Sequence, residues 1–174
     1  MTLTLTQEEL KKILSYNPET GVFAWTATVA RNVKAGKIAG SLNDKGYRQI
    51  QIKGKRYMAH RLVFLYMTGA LPPEDVDHKN HNPDDNSWDN IRLATRSENS
   101  MNRHKALKSN CTSQYKGVTW AEYRKKWRSY IVAEGKNKYL GSFNTEIEAA
   151  LAYNKASEDY FGEFGYVNEV KSYA

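Results

Sequence analysis

The chain has 174 residues, 40% of them hydrophobic, which suits one ordinary domain or two small ones and excludes wholesale disorder. Lys and Arg number 26 against 19 Asp and Glu, and the resulting charge of +7 favours a polyanionic partner. A single cysteine, Cys111, excludes an internal disulfide and any multi-cysteine zinc site, and no apolar run approaches the roughly 18 residues of a membrane span.

The first expected element is a short helix. Thr6 with Glu9 forms a capping box, Leu10, Ile13 and Leu14 make one apolar stripe, and the turn formers Asn17-Pro18-Glu19-Thr20-Gly21 end it. Val22–Trp25 reads as a strand, followed by a polar, Lys/Gly-rich stretch to Gly40. Residues 46–59 read as a hairpin: Arg48, Ile50 and Ile52 share one face, and Lys53-Gly54-Lys55 supplies the turn. The apolar run from His60 to Met67, closed by Gly69, reads as a buried helix, and Pro72-Pro73 breaks the chain.

Residues 76–93 mix short strand patterns with a loop rich in Asn, Asp and His. Thr95 with Glu98 caps a helix expected from Arg96 past Met101, and residues 103–114 form a polar, basic linker. Three strands follow, over 116–120, 126–133 and 138–143. A last capping box, Thr145 with Glu148, opens a helix with Ala149, Ala150, Tyr153, Ala156 and Tyr160 inward, closed by Gly162. The N-terminus lacks a signal-peptide pattern, so a soluble, cytoplasmic protein with no membrane partner is expected.

Charge is segregated along the chain. Residues 1–71 carry 11 basic and 4 acidic side chains, residues 72–100 carry 3 and 7, and residues 101–140 carry 10 and 2. An acidic island between basic flanks suits a cation site set against a phosphate backbone; a solvated acidic loop is the other reading. The island contains Asp77-His78 and an Asn-rich return. A histidine titrating near neutrality can take a proton from water, and hard oxygen ligands can hold a divalent cation.

The string His60-Arg61-Leu62, then Asp77-His78 through Asp85-Asn86-Ser87-Trp88-Asp89-Asn90-Ile91-Arg92, then Arg96-Ser97-Glu98-Asn99, resembles the HNH nuclease motif as found in phage homing endonucleases. The resemblance implies a ββα-metal fold. It makes His78 the general base, Asn90 the residue that hydrogen-bonds and orients the imidazole, and Asp77 and Asn99 the metal ligands. Many relatives have histidine where this chain has Asn99, which makes it an H-N-N variant. A carboxylate plus an amide favours one Mg²⁺ or Mn²⁺ per active site over zinc.

Tyr115–Trp120, Lys126–Ile131, Tyr139–Phe143 and Glu148–Ala156 resemble the AP2 DNA-binding domain, in which a three-stranded sheet enters the major groove and a helix backs it. Alternation then puts Trp127, Ser129 and Ile131 toward the helix and Lys126, Arg128 and Tyr130 toward DNA. Matching position adds Lys116, Thr119 and Tyr139 to the DNA side. In the N-terminal segment, Arg48, Lys53, Lys55, Arg56 and Arg61 are the candidate DNA contacts.

The expectation is an α+β protein: an N-terminal strand-rich segment (1–70), a ββα-metal nuclease core (71–102), a basic linker (103–114) and an AP2-like domain of three antiparallel strands and one helix (115–170). The expected activity is site-specific, homing-type cleavage of double-stranded DNA, one nick per active site, by a monomer rather than a homodimer. The alternatives are an AP2-type regulator carrying an inactive nuclease remnant and an RNA-processing nuclease.

Overall fold

In a computed structural model, residues 5–31, 33–102 and 111–170 are described. His104 and most of the expected linker lie outside them. The chain is α+β and divides into two compact units, residues 1–96 and 97–174.

The first unit opens with α1 (Gln7–Ile13), where Thr6 and Glu9 form the expected reciprocal cap. The helix stops four residues before the Asn17–Gly21 turn, because Leu14–Asn17 is a strand, β1, paired antiparallel with β2 (Val22–Trp25). Asn17 Oδ1 accepts from the amides of Glu19 and Thr20, so the turn closes a hairpin rather than capping a helix. The expected stripe survives this change, for Leu10 and Leu14 are both fully buried.

β3 (Ser41–Leu42), β4 (Arg48–Ile52) and β5 (Lys55–Met58) form an antiparallel sheet in that order. Ile52 pairs with Lys55 across a two-residue turn in which Lys53 and Gly54 both have positive φ. Ile50 and Ile52 point inward, against α2 (Ala59–Thr68), which ends on left-handed Gly69. A second ribbon, β6 (Asp75–His78) with β7 (Ile91–Ala94), sets Asp77 opposite Arg92 and His78 opposite Ile91. One apolar cluster runs from Leu10 and Phe23 through Ile50, Leu62 and Val63 to Val76 and Ile91.

Helix α3 spans Arg96–Met101, and the Asn102 amide still donates to the Glu98 carbonyl; residues 103–110 lie outside the described ones. In the second unit, β8 (Val118–Ala121), β9 (Lys126–Ala133) and β10 (Lys136–Phe143) form an antiparallel sheet in the order β10-β9-β8. Helix α4 (Glu146–Phe161) carries the Thr145–Glu148 capping box and packs on that sheet through Ala149, Ala150, Tyr153 and Ala156. Tyr160, expected inward, is 45% exposed in the last turn, where its ring carries the Lys138 ammonium 4.3 Å from the centroid. Asn168 fastens the C-terminal segment: its amide bonds both the N–H and the carbonyl of Lys116, while its own backbone is held by Asn154. Among the described residues, no helix is long and apolar enough to cross a membrane.

Candidate active site and nucleic-acid faces

The loop between β6 and β7 closes over the end of the ribbon and is tied to itself. Asp85 accepts from the Ser87 hydroxyl and amide and from the Asn80 side chain, bonds that hold its carboxyl below the usual range. Asn90 binds across the loop, accepting from the Asn80 amide at 3.0 Å and donating to the Asp85 carbonyl at 2.7 Å. The loop is also held from outside. The Tyr16 hydroxyl donates to the Asn86 carbonyl, the Trp88 amide donates to the Pro18 carbonyl, and Arg48 makes a two-pronged bond to Asp84. Gly21 sits so close that a Cβ there would meet the Asn86–Ser87 backbone at 2.3 Å.

His78 lies beneath this loop, 6% exposed, with Nε2 3.3 Å from Asn86 Oδ1. The Asn86 amide nitrogen donates to the Asp84 carbonyl, which turns Oδ1 toward the ring. Nε2 is therefore assigned the proton, leaving the lone pair on Nδ1. Burial pushes the imidazole pKa down, while the Asn86 bond and the carboxylates of Asp77, Asp85 and Asp84 pull it back. The amide expected at the imidazole was Asn90's. The short 3₁₀ turn Trp88–Asn90 aims that side chain into the loop instead, and Asn86 takes the place. Sequence spacing missed Asn86, which in the sequence is one more Asn of a polar loop; its burial shows only in the fold.

His60, on α2, packs edge-to-face on His78 with centroids 5.3 Å apart, and Tyr47 lies against both rings. Burial, helped by His78 and Arg61, lowers the His60 pKa to about 3, so this ring is neutral wherever His78 could act as a base.

Asp77 is 5% exposed, and its Oδ2 accepts from Arg92 Nε and Nη2 at 2.9 and 2.8 Å. Among the described residues no group of three or more His, Cys, Asp or Glu gathers into a metal cluster. The available chemistry is a buried carboxylate oxygen. A carboxylate oxygen is a hard ligand of the kind that divalent ions such as Mg²⁺ and Mn²⁺ take. Asn99 lies on α3.

The basic residues assigned to DNA divide into two groups. Arg48 is committed to Asp84, Arg61 donates to the carbonyls of Pro72 and Glu74, and Lys53 pairs with Glu9 on the surface. Arg56 and Lys55 are exposed on β5. In the second unit, Ser129 and Ile131 are buried toward α4 and Trp127 packs in the same direction, the expected alternation. On the outward face, the Arg128 guanidinium rests 5.0 and 5.4 Å from the Tyr130 and Tyr139 ring centroids. Thr119 stands across from Arg128, and Lys126 contacts Asn144. Lys116 is not on a strand; its ammonium bonds the Met101 carbonyl and lies over Tyr166.

Residues 57–101 match the family model described as HNH endonuclease. Protein 3.8 of Escherichia phage T7 is 40% identical over 121 residues, 69% of this chain and 95% of that protein. The uncharacterized HNH endonuclease L560 of Acanthamoeba polyphaga mimivirus is 32% identical over 131 residues; the match covers 74% of this chain and 66% of its relative, just under two thirds. A 51-residue stretch, 29% of this chain, is 43% identical to the AP2-like ethylene-responsive transcription factor TOE2 of Arabidopsis thaliana, of which it covers 10%. Among solved structures, the HNH homing endonuclease I-HmuI aligns with 73% of this chain and 71% of its own, at 23% identity and a TM-score of 0.39.

Proposed function

This chain belongs to the HNH endonuclease family, and we propose that it is a site-specific, homing-type DNA endonuclease that cuts one strand per active site. The observation that carries this reading is the buried His78 imidazole, held at Nε2 by Asn86 at the end of β6. With the proton on Nε2, Nδ1 takes a proton from a water molecule as its oxygen attacks the scissile phosphorus. The phosphorus–3′-oxygen bond breaks in line, and the leaving oxygen acquires a proton from solvent. By the motif, Asp77 and Asn99 would hold one Mg²⁺ or Mn²⁺, which would supply positive charge for the developing oxyanion. The sheet face around Arg128, Tyr130 and Tyr139 is the double-stranded DNA contact that gives the enzyme its site.

The test is incubation of supercoiled plasmid with the full chain and Mg²⁺ or Mn²⁺. Wild type is expected to give nicked circles, and His78→Ala to bind the same DNA without cutting it. One observation favours the rival, an AP2-type regulator with an inactive nuclease remnant: the carboxylate of Asp77 is already engaged by Arg92. Absence of any nicked or linear product from wild type, with DNA binding intact, establishes that rival. Cleavage of RNA but not DNA establishes an RNA-processing enzyme.

A further inference from the structure

The Asp77–Arg92 pair is built into the ribbon. The two residues are directly opposed in the β6–β7 register, and Arg92 Nε and Nη2 both donate to Asp77 Oδ2. Their side chains are 6% and 11% exposed, so the pair is largely shielded from the water that would weaken it. The carboxylate read as a metal ligand therefore already has a cation on it. A divalent ion sharing that oxygen would sit within a few ångströms of a fixed positive charge, where like charges repel strongly.

We propose that Arg92 is a resident counter-ion that keeps Asp77 from binding a divalent cation until a DNA phosphate arrives to take the guanidinium. The proposal rests on the reading of Asp77 as a metal ligand and adds to it an order of events. Arginine's planar fork matches a phosphate as well as it matches a carboxylate, so a backbone phosphate entering the site offers an equivalent partner. As Arg92 turns to that phosphate, the negative charge of Asp77 is no longer neutralised by the guanidinium and can attract the cation. Metal and DNA then bind cooperatively, and linkage requires each to tighten the other by the same factor. A purely structural Asp77–Arg92 pair would stay closed in every state and would couple nothing.

The test is calorimetric titration of Mn²⁺ into the full chain at low salt, alone and with a short duplex, subtracting the duplex's own Mn²⁺ uptake. A His78→Ala background keeps the duplex uncut. The expected result is Mn²⁺ binding at least about tenfold tighter with the duplex than without it. Arg92→Gln, which removes the positive charge, is expected to bind Mn²⁺ about tenfold tighter than the parent without duplex and to lose most of the duplex effect. Arg92→Lys, which keeps the charge and loses the fork, should stay as weak as the parent without duplex and gain less from it. Equal Mn²⁺ affinity with and without duplex in the parent overturns the proposal, as does a folded Arg92→Gln that binds Mn²⁺ no tighter. Asp77→Asn separates the premise from the inference: undiminished Mn²⁺ uptake by that variant removes Asp77 as a ligand, and the proposal falls with it.

Discussion

The turn at Gly21 supports His78, the proposed base, from a distance, and substitution there measures how much. Gly21 has φ +71°, and a Cβ added to it would lie 2.3 Å from both the Asn86 carbonyl carbon and the Ser87 amide nitrogen. Gly21→Ala therefore incurs two costs: about 1–2 kcal/mol for a left-handed alanine and about 1–3 kcal/mol for forcing two backbones apart. Gly54→Ala is the matched control, with φ +80° and nothing within 4 Å of the added carbon, so it bears the first cost alone. The difference between the two variants isolates the docking of the hairpin turn on the loop. The assay is urea-dependent hydrogen exchange, read on peptides covering 14–25 and 86–94, which reports the first unit separately from the second. Activity should follow, because the Asn86–imidazole contact is 3.3 Å long and a shift of a few tenths of an ångström breaks it. Loss of one orienting bond of about 1.4 kcal/mol lowers the nicking rate about tenfold. Equal destabilisation by Gly21→Ala and Gly54→Ala refutes the argument.

Acid should weaken the first unit through His60. Its folded pKa of about 3 lies below the ordinary 6.5, so the unfolded chain binds the extra proton; that stability is complete above pH 6.5 and is lost as pH falls toward 3. The full shift corresponds to a loss on the order of 4–5 kcal/mol, and chemical denaturation from pH 7 to 4 should show a shallower decline in His60→Leu than in wild type. Asn168→Ala strips the bonds to both backbone groups of Lys116 and should cost about 2–4 kcal/mol, with a double-mutant cycle against Asn154→Ala showing strong coupling. Imidazole nitrogen spectra should show loss of the Nε2-protonated form of His78 in Asn86→Ala, whereas Asn90→Ala should loosen the loop at Asn80 and Asp85 first. Arg128→Ala should lower the salt slope of DNA binding by about 1 in fluorescence anisotropy; an unchanged slope removes Arg128 from the interface.

Local signals were the legible ones. The capping boxes at Thr6 and Thr145, the turn around Gly54 (one residue shorter than expected, since Lys55 already pairs with Ile52) and the alternation through Ser129 and Ile131 each depend on residues within four positions of one another. The hairpin strand Leu14–Asn17 escaped because Leu10, Ile13 and Leu14 satisfy a helical stripe equally well, and only pairing with Val22–Trp25 decides between the two. Tyr160 has the right helical phase for burial, but phase cannot say whether the last turn still has apolar cover.

The site was legible in residue types more than in partners. A motif supplies a histidine, a carboxylate and asparagines at fitting separations; which amide meets the imidazole depends on how the 79–90 loop closes. Here the closure is directed by contacts from Tyr16, Pro18 and Gly21, some 60–70 positions away in sequence. The same limit governs charge. Arg48 and Arg61 count toward the net positive balance exactly as Arg56 does, yet one is bound to Asp84 and the other to two backbone carbonyls, while Arg56 faces solvent. A side chain already desolvated against an internal acceptor must surrender that bond before it can meet a phosphate, so it contributes less to binding than an exposed cation. Arg92 follows the same rule with a different outcome. Its internal acceptor is the carboxylate proposed to hold the metal, so surrendering that bond is the event that would couple DNA arrival to catalysis.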